Sequence, residues 1–179
     1  FSGHLNLKPR NLIPETPTRL KMKVDGKDLR TIWLSPDEKS VKIIDQRRLP
    51  HELVLIDLNT VDDAITAIRD MAVRGAPLIG IAATLWIGHC ASRGYSRDEL
   101  RNTIARLRDA RPTAVNLMNY LERLQTRLEA GADEVLLADE AVAIFEEDVA
   151  LCDAIAGHGA ALVEHNDMIL THCNTGSLA

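Results

Sequence analysis

The sequence predicts an α+β fold, a small antiparallel sheet plus a helical bundle, whose chain ends by entering an open α/β layer. Three observations carry that reading. Short apolar runs separated by turn residues occupy residues 19–58. Apolar side chains at helical spacing fill residues 59–166. A last apolar run, Met168 to His172, hands over to the small polar loop Cys173-Asn174-Thr175-Gly176-Ser177, the pattern of a buried strand leading into a helix.

The totals are consistent with that class. A chain of 179 residues that is 46% hydrophobic can bury a core, as one large domain or one domain plus part of another. A net charge of -5 and 3% aromatic residues argue against a nucleic-acid binder, which needs a basic surface or a stacking platform. Anionic small molecules stay open, because local basic residues decide those. The 3 cysteines, Cys90, Cys152 and Cys173, form no CxxC pair, and no signal peptide or transmembrane segment is recognisable, so a reducing cytoplasm is the simplest home. The 6 histidines show no zinc-type spacing, His158, His165 and His172 recurring by sevens across a change of structure, and no metal site is expected.

In chain order, residues 1–18 are polar and proline-bearing, an N-terminal extension whose opening at Phe1 suggests a trimmed start. Residues 19–58 read as the antiparallel sheet, with Asp25-Gly26 a hairpin turn, Ser35-Pro36-Asp37 a second turn and Leu53 to Leu58 the last strand. Thr60 can cap a first helix with Asp62 and Asp63 in its first turn and Val61, Ala64, Ile65, Ile68, Met71 and Ala72 on one face. That helix delivers the chain to Arg74.

The stretch Arg74 to Ala91 is the centre of the chain: an Arg-Gly-Ala-Pro loop followed by an apolar run too short to span a bilayer. Pro77 suits the first helical position, and Gly75 gives the loop backbone angles that larger residues avoid. Free N–H groups, the positive end of the dipole, a guanidinium and a glycine together suit a phosphate or oxyanion. A solvated arginine in a helix-entrance turn fits the local pattern equally well. Ala76, Gly80, Thr84 and Gly88 recur every four residues, and for Gly80 and Gly88 close helix packing is the preferred reading.

Ser96 and Glu99 form a capping-box pattern that starts a helix with Leu100, Ile104 and Leu107 inward, ending at Arg111-Pro112. Pro112 or Thr113 starts the next, with Ala114, Leu117, Met118, Leu121, Leu124 and Leu128 inward and Gly131 closing it. Arg111 thus stands at a second helix entrance, where a surface arginine is the plainer reading. Asp133 to about His165 is further helix, interrupted near Gly157 and Gly159, and Glu146, Glu147 and Asp148 read as a solvated face.

Asn166-Asp167 makes a turn before the expected strand. Cys90 and Cys152 read as small core hydrophobes, whereas Cys173 ends a strand and precedes a glycine-containing loop, where ligands sit in open α/β sheets and where N–H groups can depress a thiol pKa. A single parallel-type strand cannot satisfy its backbone alone. Residues 167–179 are therefore expected to be the first strand and loop of a Rossmann-like C-terminal domain, the chain being the front part of a longer protein whose second domain is absent or supplied as a separate chain, and whose α/β segment is needed for activity.

Several stretches together resemble one family, the methylthioribose-1-phosphate isomerases, relatives of the regulatory subunits of eukaryotic translation initiation factor two-B. They are Val41-Lys42-Ile43-Ile44-Asp45-Gln46 with Leu49-Pro50, Val73-Arg74-Gly75-Ala76-Pro77-Leu78-Ile79-Gly80, Arg111-Pro112-Thr113-Ala114-Val115-Asn116-Leu117, Glu147-Asp148, His158-Gly159-Ala160 and Thr171-His172-Cys173-Asn174-Thr175-Gly176. The resemblance runs from about Val24 to Ala179, and its motifs are specific when taken jointly and in order.

It implies an aldose-ketose isomerase of methionine salvage, converting 5-methylthioribose 1-phosphate to 5-methylthioribulose 1-phosphate without a redox cofactor. The family's substrate-contacting loop falls on Arg74, Gly75 and Ala76, its second substrate arginine on Arg111 and its catalytic cysteine on Cys173. Its acid aspartate and further contacts fall beyond Ala179. Partners implied are a small sugar phosphate and a second copy in a homodimer, with no nucleic acid and no membrane. The alternatives are a ribose-1,5-bisphosphate isomerase, which needs room and charge for a second phosphate, and a non-catalytic regulatory subunit of the initiation-factor type. Retention of Cys173 and the Arg74 loop favours the enzyme.

Overall fold

The structure is a computed structural model that describes residues 22–24, 26–35 and 40–178. The expected N-terminal extension and the Pro36-Asp37 turn lie outside the described residues. Among the described residues the elements are an α+β arrangement of short antiparallel strands and five α-helices.

The β part is divided rather than continuous. Strands β1 (Met22–Val24) and β2 (Lys27–Leu29) form a hairpin in which Val24 pairs with Lys27, so Gly26 sits in a two-residue turn at φ +76°, the left-handed angle such turns need. Strands β3 (Ile32–Leu34), β4 (Val41–Ile44) and β5 (Leu55–Leu58) make a separate antiparallel sheet in the order β3-β4-β5. Val41, Ile43 and Leu58 are buried, while Lys42 stands opposite Asp57 and pairs with it, so one face is apolar and the other carries a cross-strand ion pair.

Helix α1 (Val61–Arg69) is capped by Thr60, whose hydroxyl accepts from the Asp63 amide while the Asp63 carboxylate accepts from the Thr60 amide. It ends earlier than its apolar pattern suggests. Met71 lies past the end at φ +60° and is 40% exposed instead of packing inward. The chain leaves the helix there because Ala72 and Val73 are drawn into the core, Ala72 O accepting from the Gln46 amide at 2.9 Å.

Helix α2 (Ala76–Ser92) runs through the middle of the bundle, and every side chain from Leu78 to Ala91 is buried. It touches α1 and α3 (Arg97–Ala110), α4 (Val115–Glu129) and α5 (Glu134–Ala160). Its glycines do what the four-residue ridge predicts. A Cβ on Gly80 would stand 2.6 Å from the Tyr120 ring of α4, and one on Gly88 would stand 2.8 Å from the Ala141 Cβ of α5. Ion pairs fasten the outer surfaces: Arg123 and Arg127 of α4 both reach the largely buried Glu140 of α5, and Arg101 of α3 takes Glu129 of α4.

Ser96 and Glu99 form the expected capping box on α3, whose Leu100, Ile104 and Leu107 are buried. Elsewhere the boundaries move. Helix α4 begins at Val115, because Pro112 and Thr113 are consumed in a turn closed by the Ala114 amide on Arg111 O at 3.0 Å. Helix α5 continues through Gly157 to Ala160 with no break, since an isolated glycine lowers helix stability by only about 1 kcal/mol. Beyond it, Glu164 to Asp167 form a turn with Asn166 at φ +75°. The expected strand Met168 to His172 is irregular and exposed, Met168 at 99% and Leu170 at 98%. A strand needs a ladder partner, and none of the described residues pairs with it.

Candidate functional site

The loop before α2 is shaped by its backbone. Gly75 caps the helix at φ +106° without any side-chain bond, and Ala76, one residue earlier than expected, is the first helical residue, with Pro77 behind it. The first helical bond is Ile79 N–H to Gly75 O at 3.0 Å. The Ala76 and Leu78 amides precede it and have no acceptor in the helix. Arg74 stands half-buried beside them: its guanidinium donates to Gln46 O, while its Nε is buried with no partner among the described residues.

The loop after the irregular segment carries Cys173, a free and exposed thiol at φ +67°, and Gly176 at φ +73°, which opens a 3₁₀ turn over Gly176–Leu178. Left-handed angles cost an ordinary side chain and gather where function demands a fixed shape. The two loops meet at Gln46, in the turn two residues past β4. Its Nε2 donates to Arg74 O at 3.4 Å and to Leu178 O at 3.0 Å, and its Oε1 accepts from Asn174 Nδ2 at 3.3 Å. Next to it, Asp45 is buried against Arg47, whose guanidinium holds the carboxyl below the usual carboxylate range.

Helices α2 and α5 run antiparallel, pack tightly at Gly88 and Ala141, and leave a gap toward the N-terminus of α2. The gap is a cleft of about 740 Å³ walled by Pro77, Leu78 and Ile81 on one side and by Phe145, Asp148 and Cys152 on the other. Pro77, in the first turn of α2, and Gly176, from the loop after Cys173, line it. Arg74, Arg111 and Cys173 do not. Arg111 ends α3 at its corner with α4, partly exposed and without an ion pair among the described residues.

Two earlier expectations change here. Asp148 is not part of a solvated face: it is half-buried in the cleft, accepts from the Tyr120 hydroxyl at 3.2 Å, and burial pushes its carboxyl up. Cys152, one turn further on, is exposed instead of buried, because the outer part of α5 projects beyond the bundle. Cys90 is a core thiol as expected, pushed by burial up to about 12. No local pattern marks Gln46 or the Tyr120–Asp148 pair, although Gln46 lies within one of the motifs quoted above. Among the described residues no three His, Cys, Asp or Glu side chains are placed to hold a metal ion, and no helix is long and apolar enough to cross a membrane.

Comparison with known proteins adds the following. The model of the initiation factor 2 subunit family matches residues 72–179. Curated relatives named methylthioribose-1-phosphate isomerase include one from Citrobacter koseri, 45% identical over 84% of this chain and 44% of its own length, and one from Serratia proteamaculans, 43% identical over the same shares. The chain thus spans less than half the length of the curated relatives it matches. Two solved structures share the fold. The 5-methylthioribose 1-phosphate isomerase of Pyrococcus horikoshii has a TM-score of 0.74 and 34% identity, over 92% of this chain and 48% of that one. The delta subunit of translation initiation factor eIF-2B from A. fulgidus has a TM-score of 0.68 and 36% identity, over 84% and 46%.

Proposed function

This chain belongs to the initiation factor 2 subunit family, and from that premise we propose that it forms the front part of a sugar-phosphate isomerase acting on 5-methylthioribose 1-phosphate. The observation that carries the reading is the junction at Gln46, where the Arg74 loop and the loop after Cys173 share one buried side chain. Similarity to isomerases in both sequence and fold supports it.

The chemistry accounts for the residue types. A phosphate on the anomeric carbon blocks the free hemiacetal, so the ring opens only with acid assistance at its oxygen. An aspartate from the remainder of the protein supplies that proton. The C2 hydroxyl loses its proton while hydrogen passes between C2 and C1, and Cys173 assists at that carbon pair. Arg74, Arg111 and the free amides at the start of α2 hold the phosphate and hydroxyls. The methylthio group is apolar, and an apolar wall such as Pro77, Leu78 and Ile81 suits it.

A second reading has its own support in the likeness to the eIF-2B delta subunit: a non-catalytic subunit that binds partners or senses sugar phosphates. Turnover assays on the whole protein separate the readings. The proposed function predicts conversion of 5-methylthioribose 1-phosphate and much slower conversion of ribose 1,5-bisphosphate. Binding of either compound without turnover would favour the regulatory reading.

A further inference from the structure

We propose that Gln46 is a positioning residue for this site, one carboxamide that holds the Arg74 loop and the Cys173–Asn174 loop in a single register. The inference rests on the isomerase reading above. Gln46 is 2% exposed, and its amide is fully committed: Nε2 gives its two N–H groups to Arg74 O and Leu178 O, and Oε1 accepts from Asn174. Its backbone is used as well, the N–H donating to Ala72 O and the carbonyl accepting from the Arg74 guanidinium. One residue in the turn just past β4 therefore fixes the main chain of Arg74, the direction of its guanidinium and the backbone on the far side of the thiol.

No other side chain of similar length does this. Glutamate has no N–H for the two carbonyls, and methionine matches the volume but loses all three side-chain bonds. The backbone bonds to Ala72 and Arg74 survive either change, so the turn after β4 stays in place while the link between the loops is lost. Reaction requires the guanidinium on the phosphate and the thiol at the carbon pair at the same time. A misplacement of about 1 Å lowers such a rate by about a hundredfold.

The test uses the whole protein with Gln46→Met and, from the other side of the link, Asn174→Ala. For Gln46→Met, kcat is expected to fall about a hundredfold with KM and the thermal midpoint little changed. Amide hydrogen exchange is expected to quicken in both residues 73–76 and residues 174–178 for Gln46→Met, and in residues 73–76 as well as its own loop for Asn174→Ala. A Gln46→Met enzyme within twofold of wild-type kcat overturns the proposal. If the wild-type protein converts no sugar phosphate, the proposed function fails separately and the catalytic role falls with it. Exchange still decides the link: quickening confined to one loop overturns it.

Discussion

Cys173 and Cys90 show how the same side chain takes different chemistry from its surroundings. Cys173 is exposed and held at φ +67°, an angle that costs a non-glycine residue about 1 kcal/mol or more and persists where the neighbours impose it. In the whole protein, Cys173→Ala is expected to lower kcat by about a thousandfold while leaving the thermal midpoint within a degree or two. Near-normal turnover in that variant would remove the thiol from the reaction. Cys90 lies inside α2, where burial pushes its thiol from 9.0 up to about 12. The folded chain therefore prefers the neutral thiol, whereas the unfolded chain ionises near 9. Its contribution is complete below pH 9 and declines by about 1.4 kcal/mol per pH unit from there toward 12. Urea denaturation across that range should show a shallower alkaline decline for Cys90→Ala than for the wild type, and parallel curves would contradict the assignment.

At the scale of elements, the close approach of α2 to its neighbours decides which glycines matter. Gly88 faces the Ala141 Cβ, an atom fixed to the α5 backbone, so any side chain there forces two helices apart. Gly157 has open space around its missing Cβ and ordinary helical angles. Gly88→Val is expected to destabilise the chain by about 1–3 kcal/mol, and Gly157→Ala to stabilise it by about 0.5–1 kcal/mol, both read from denaturant midpoints. A Gly88→Val chain as stable as the wild type would mean that the helices are not packed as described. This contrast was legible in sequence only in part. The four-residue ridge identified Gly80 and Gly88 as packing positions, and the capping box at Ser96 placed the start of α3. The expected break near Gly157 is absent because helix continuity is decided over many residues, while a single glycine changes it little. Likewise Met71 fits the helical period of α1, yet tertiary demand for Ala72 and Val73 ends the helix before reaching it.

For the whole molecule, sequence reading recovered the mixed α+β class, because periodicity reports which face of each element is buried. It could not recover the meeting of distant loops. Gln46, Arg74 and Asn174 come from three separate regions, and local patterning says nothing about contacts between side chains so far apart in the chain. The strand expected at Met168 to His172 illustrates the same limit: its apolar composition suits a sheet interior, but a strand is a property of two chains segments pairing, and here it has no neighbour among the described residues. The central claim is that the guanidinium before α2 and the thiol near residue 173 act on one sugar phosphate. A crystal structure of the whole protein with 5-methylthioribulose 1-phosphate bound tests it directly. The account predicts Arg74 on the phosphate and the Cys173 sulfur against C1 and C2 of the sugar. Finding the ligand bound elsewhere, or those two groups on opposite sides of the molecule, would contradict it.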